Sequence, residues 1–174
     1  MRMSRSEHCS IHPNRRPIIA DARPARTLVL VDIENLVGRP HVAPAETRYL
    51  ARLARNIVLP QPSHTIVASS RFNAPNVVFD WPNARFVLGR GPKAADLALI
   101  SIIENEQLAS RYDRVIIGSG DGIFAESVAQ LAAQGVRVTA LVGRGRLSTK
   151  LRLACTDLIV LAPAQALPEM SVGA

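Results

Sequence analysis

Cysteine is nearly absent. The 174 residues hold only Cys9 and Cys155, far apart in regions of different composition, so neither a disulfide framework nor a CxxC metal site exists. That usage points to the reducing cytoplasm. No apolar run approaches the roughly 20 residues that cross a bilayer, which excludes a chain spanning the membrane by helices. The first residues are basic but lack the apolar stretch of a secretory signal, because Pro13, Asn14, Arg15 and Arg16 interrupt it. Aromatic residues make up 4% of the chain, poor support for a base-stacking platform of the usual kind. Phe72 and Trp81 are the candidates for stacking, with ordinary packing as the alternative. The dipeptide Gly-Lys never occurs, so there is no P-loop.

What is present suits one folded domain. Apolar residues are 48% and charged residues 20% of the chain, enough burial to offset the entropy of ordering. The net charge is +7, from 21 cations against 14 acids, and only Lys93 and Lys150 among those cations are not arginine. Such a surplus suits a polyanionic partner, RNA among them. Residues 1–26 carry six arginines against Glu7 and Asp21, a net +4, and read as a flexible basic tail that recruits RNA or simply stays solvated. His8, Cys9 and His12 in it have only a passing metal-ligand spacing.

From Thr27 the texture changes to apolar runs alternating with helical periods, which predicts an α/β domain over 27–162 and a short tail at 163–174. The expected fold is a three-layer α/β/α sandwich around a mostly parallel sheet. Strands are expected at Thr27–Asp32, His64–Ser69, Val77–Phe79, Arg85–Leu88, Arg114–Gly118, Val136–Val142 and Asp157–Leu161. Helices are expected from Pro44 to about Ile57, over 93–108 with Leu97, Ile100, Ile103 and Leu108 inward, from Phe124 to a Gly135 cap, and after Ser148.

In an open parallel sheet, ligands bind beyond the carboxyl ends of the strands, so the residues leaving each strand carry the chemistry. Asp32, Asp96 and Asp121 all fall at that edge. Each has a structural alternative: Asp32 anchors a turn, Asp96 complements a helix dipole, Asp121 caps a helix. Together they imply a divalent cation, because two carboxylates about 5 Å apart repel by about 3 kcal/mol at an effective dielectric near 20. Asn35 is placed to orient a carboxylate, water or phosphate, and Ser119 likewise. Glu34 is the weaker candidate, since strand alternation would turn it away. Arg144, Arg146 and Lys150, with Arg137 and Arg152, form an acid-free stretch for phosphate contacts, and Gly143 and Gly145 would let backbone approach. Lys93 and Arg90 flank the Asp96 helix, and a solvated positive face is the alternative for all of these cations.

These residues resemble the NYN domains of the PIN-like nuclease superfamily, including their LabA-like branch. The resemblance rests on Val31-Asp32-x-x-Asn35, on Lys93-Ala94-Ala95-Asp96, on Gly118-Ser119-Gly120-Asp121-Gly122-Ile123-Phe124, and on the closing Leu147–Arg152 and Asp157–Leu161 segments. It implies a PIN-like, Rossmannoid fold and a ribonuclease using Mg²⁺ or Mn²⁺, with Asp32, Asp96 and Asp121 holding the metal and Asn35 beside them. RNA is the implied partner, no membrane is involved, and a homodimer is left open. Many relatives carry an acid where Ile123 stands here, so the rival reading is a non-catalytic NYN-type module that binds RNA or a protein. A dinucleotide site fails because G-x-G-x-x-G would need glycine at 123. A phosphoacceptor receiver domain fits less well, since its acids gather at the first and third strands and Asp96 begins a helix.

Overall fold

The computed structural model describes residues 25–58, 63–91 and 93–161. The expected tails, apart from Ala25 and Arg26, and the His8, Cys9 and His12 group lie outside the described residues. Six parallel strands form one sheet: β1 (Thr27–Asp32), β2 (Ser63–Ser70), β3 (Ala84–Gly89), β4 (Arg114–Gly118), β5 (Arg137–Val142) and β6 (Asp157–Val160). They stand in the order β3-β2-β1-β4-β5-β6, so the direction of winding reverses between β1 and β4. The helices are α1 (Ile33–Val37), α2 (Pro44–Val58), α3 (Ala74–Val78), α4 (Ala94–Asn105), α5 (Leu108–Arg111), α6 (Ala125–Ala133) and α7 (Thr149–Ala154).

The period of two along β1 explains the three layers. Leu28 and Leu30 join a core with Leu99, Ile103, Phe124, Val128 and Leu151, under α4, α6 and α7. Val29 and Val31 point the other way, into a second core with Ile33, Leu36, Leu50, Val67 and Trp81, under α1, α2 and α3. Every residue of β1 is buried, which is why its sequence is a continuous apolar run that ends abruptly in a charge. No helix among the described residues is long and apolar enough to cross a membrane.

Three expectations are corrected. The Val77–Phe79 stretch is not a strand: Ala74–Val78 is helical, with Pro75 in its first turn. The Asn76 side chain donates to the Val42 carbonyl at 3.0 Å and ties this helix to the chain before α2, so tertiary contacts override the strand preference of Val-Val-Phe. The helix expected over 93–108 ends at Asn105 and restarts at Leu108, because Gln107 adopts a left-handed φ of 48°. Within α4 the inward face runs through Asp96, Leu99, Ile102 and Ile103, while Leu97 is 55% exposed.

That rotation is testable. Leu99→Ala, at a fully buried position, is expected to cost about 2–5 kcal/mol in urea unfolding, and Leu97→Ala less than about 0.5 kcal/mol. Equal costs would contradict this orientation of α4.

Candidate active site

Asp32 closes β1 and opens α1 in one step. Its Oδ1 accepts the Asn35 N–H at 3.2 Å, capping α1, and Gly38 ends that helix at a positive φ of 78°. The turn into helix also removes the strand alternation that would have pointed Glu34 away. Glu34 Oε1 instead accepts from the Ser70 N–H at 2.7 Å, the Asn73 side-chain amide at 2.8 Å and the Ser69 hydroxyl at 3.3 Å. Its Oε2 is buried without a partner. The sequence signal was available in the Asp32 cap and the Gly38 stop, which bracket a short helix.

Asp96 enters from the other side, on the first turn of α4. It is 9% exposed and Asp32 5%, and the two carboxyl groups lie within hydrogen-bonding reach of each other. Burial, then the facing Asp96, pushes the Asp32 carboxyl up to about 8, with Glu34 adding to the rise and the Asn35 N–H opposing it. A cleft of about 270 Å³ opens over the pair, bordered by Glu34, Asn35, Ser70 and Lys93. Lys93 is exposed and holds a left-handed φ of 57° at the cap of α4.

Asp121 sits elsewhere. It caps the 3-10 turn Gly122–Phe124, its Oδ1 accepting the Ile123 N–H at 3.0 Å. It lines a wider depression of about 690 Å³ with Arg39, Arg146 and Ser148, and Glu34 and Asn35 are the wall this depression shares with the first cleft. Asn35 braces that wall, its Oδ1 accepting the Gly120 N–H at 2.8 Å. Among the described residues no three His, Cys, Asp or Glu side chains lie together at a spacing that holds a metal ion. Two facing carboxyls still fit a hard cation, since Mg²⁺ is usually held by one or two carboxylates plus waters and substrate phosphates.

The other predicted residues separate. Ser119 is fully buried and its hydroxyl accepts the Asp121 N–H at 3.2 Å, so it supports the loop from beneath and presents no surface to a substrate. Arg146 borders the Asp121 depression, whereas Lys150 is exposed on α7 and borders neither opening. Arg144 lies 3.6 Å from Glu46 of α2, which Arg39 also engages at 2.6 Å. Gly143 and Gly145 have a packing role, and Gly145 also lines the Asp121 depression. Their missing side chains let the loop pack on α1, where a Cβ at Gly145 would fall on the Asn35 carbonyl and 2.8 Å from its Oδ1, and one at Gly143 on the Leu36 carbonyl.

Comparison with known proteins adds a family. The NYN domain matches residues 26–162. No functionally curated protein is detectably similar. Among solved structures, a Vibrio parahaemolyticus protein of unknown function is 14% identical, with a TM-score of 0.61 over 81% of this chain and 95% of that one. An octameric hydrolase of unknown specificity from Escherichia coli is 17% identical, with a TM-score of 0.43 over 78% of this chain and 75% of that one.

The buried carboxyl pair has a pH signature. Between the ordinary value of 3.8 and about 8, folded Asp32 keeps a proton that the unfolded chain has lost, so the folded state binds more protons and its stability falls as pH rises. With chelator present at pH 8, Asp32→Asn, which keeps the capping oxygen, is expected to be more stable than the natural chain by about 2 kcal/mol, roughly 4–8 °C in Tm. The gap should narrow by more than half at pH 5. Identical melting at both pH values would mean the pair carries no such repulsion.

Proposed function

The chain belongs to the NYN domain family, and from that premise we propose that it is a ribonuclease hydrolysing RNA phosphodiesters with Mg²⁺ or Mn²⁺ at the Asp32–Asp96 pair. The observation that carries this reading is the pair itself, two carboxyl groups buried against each other at the carboxyl edge of the sheet, beside the ends of β1, β2 and β3. Asp32 and Asp96 would hold the cation, with water and substrate phosphate oxygens completing its shell. When bound, such a cation lowers the pKa of water and polarises a phosphoryl oxygen. The chain's own residues do the positioning. Asn35 and Glu34 keep the wall between the two openings in place, one through Gly120 and the other through Ser70 and Asn73. Lys93 on one side and Arg146 on the other supply positive charge to a phosphate backbone crossing the acids. Asp121, in the adjoining depression, is placed to act on an RNA that spans both openings.

A second reading has its own observation. Ile123, where an acid would extend the cluster, packs against the hydrophobic core, and Asp121 stands apart from the other two carboxylates. That arrangement suits a non-catalytic NYN-type module that binds RNA or a protein. A metal series separates the two readings. End-labelled single-stranded RNA is expected to be cut with Mn²⁺ or Mg²⁺ and not with EDTA, and purified Asp32→Asn and Asp96→Asn should each lose at least about 100-fold in rate while still binding RNA. Cleavage that survives in both variants would expose a contaminating nuclease, and binding without any cleavage would favour the module.

A further inference from the structure

Trp81 and Phe72, the two candidates for stacking in the sequence, part company in the fold. Trp81 is buried in the core under α2 and α3, whereas Phe72 is 86% exposed. Phe72 and Arg71 form the tip of a tight turn, closed by the Asn73 N–H on the Ser70 carbonyl at 3.2 Å. Both ends of that turn are fastened to one oxygen, since the Ser70 N–H and the Asn73 side-chain amide each donate to Glu34 Oε1. Asn73 is buried and further fixed, its amide donating to the Pro40 carbonyl at 2.7 Å and its Oδ1 accepting the Val42 N–H at 3.1 Å. The tip is therefore held rigidly by the same carboxylate that borders the acid cleft, and Ser70 itself lines that cleft. A single exposed apolar residue is ordinary at a protein surface; what sets Phe72 apart is that the turn presenting it is pinned to the residue that borders the cleft.

We propose that the Arg71–Phe72 tip is a specificity element that stacks an unpaired nucleobase on the Phe72 ring and meets the neighbouring phosphate with Arg71, at the rim of the Asp32–Asp96 cleft. Charge favours nucleic acid over another protein as the occupant. Arg71 is exposed and makes no ion pair among the described residues, Lys93 borders the same cleft, and the chain carries +7. Aromatic stacking accepts any base but requires it to be out of a duplex, so the ligand class is single-stranded. Phe79 provides an internal control. It is 85% exposed too, but it stands at the far end of α3 beside Asp80, whose carboxylate accepts the Thr47 hydroxyl.

The choice of RNA rests on the ribonuclease reading, and the test is therefore made on binding, in EDTA, by fluorescence anisotropy. The probes are a labelled 12-nucleotide single-stranded RNA, its duplex, and the same strand with abasic sites. The natural chain is expected to prefer the single strand, with Phe72→Ala weakening it about tenfold, Phe72→Trp restoring it, and Phe79→Ala leaving it unchanged. Abasic sites should weaken the natural chain and leave Phe72→Ala unaffected. Equal affinity of Phe72→Ala and the natural chain, or equal loss in the Phe72 and Phe79 variants, overturns the inference. So does a natural chain that binds no RNA, or a Phe72→Ala effect on sedimentation in place of affinity, which would assign the surface to a second copy. Metal-dependent cleavage unchanged in Phe72→Ala would sink this inference and spare the nuclease, whereas Phe72-dependent binding without cleavage would do the reverse.

Discussion

Two carboxyl groups that cannot turn away from each other set the terms for this structure. Asp32 ends a strand buried along its whole length, and Asp96 starts a helix whose next inward residue, Leu99, is fully enclosed. Two unit charges about 4 Å apart repel by about 4 kcal/mol at an effective dielectric near 20, so either a proton or a cation must enter the pair. The approach to α4 shows what holds Asp96 there. The chain passes through Gly91 and Lys93, both at positive φ, and a lysine in that region costs about 1–2 kcal/mol. Packing of Leu99, Ile102 and Ile103 beneath α4 offsets that strain and the repulsion together. A protein core is here holding two like charges together against their repulsion, the kind of arrangement that is found at functional sites.

The short helix α1 converts that pair into a site with two sides. Because the chain bends at Asp32, Glu34 and Asn35 come to stand between the cleft over Asp96 and the depression over Asp121. Each is committed by only part of its side chain. Glu34 gives Oε1 to the Ser70–Asn73 turn and keeps Oε2 unpaired, and Asn35 gives Oδ1 to Gly120. In both, one oxygen fixes the position of the side chain. The packing of Gly143 and Gly145 against the backbone of α1 holds this wall in place, a close approach that a side chain at either position would block.

The legibility of the sequence followed the range of the forces involved. β1 could be read because a strand buried on both faces is apolar throughout, and the acids could be read because the strand ends mark the ligand edge of a parallel sheet. Gly135 stops α6 by a local rule, its φ of 89° being a glycine property. Errors arose where a local preference met a distant partner. Val77, Val78 and Phe79 have the composition of a strand, but Pro75 and the Asn76 bond to Val42 decide for helix. Leu97 looked like the inward residue of α4 by spacing alone, and the buried carboxylate one position earlier shows the helix turned to face Asp32 instead. Glu34 was misjudged because alternation was carried past the point where the strand ends. The family resemblance supplied the fold and implied a metal chemistry, whereas the division of the acids into two openings has no signature in the sequence.

The same division gives the positive charge a meaning that its total does not. A surplus of arginine raises affinity for any polyanion, but it also surrounds a site whose acids repel phosphate. Arg39 and Arg144 converge on Glu46, so the loop after β5 and the chain entering α2 are drawn together, and the charge there is partly spent on holding the rim. Lys93 borders one opening and Arg146 the other, and Arg71 follows Ser70, which lines the first. A backbone that satisfied both sides would have to cross the Glu34–Asn35 wall, directly over the acids. On the proposed reading, cations at the two ends and anions between them would set the direction of a bound strand, and the Arg71–Phe72 tip beside one opening would give that direction a polarity. Charge alone would bind such a strand either way round, so on the proposed reading the asymmetry would come from the exposed Phe72 ring, two residues beyond Ser70 of the cleft wall.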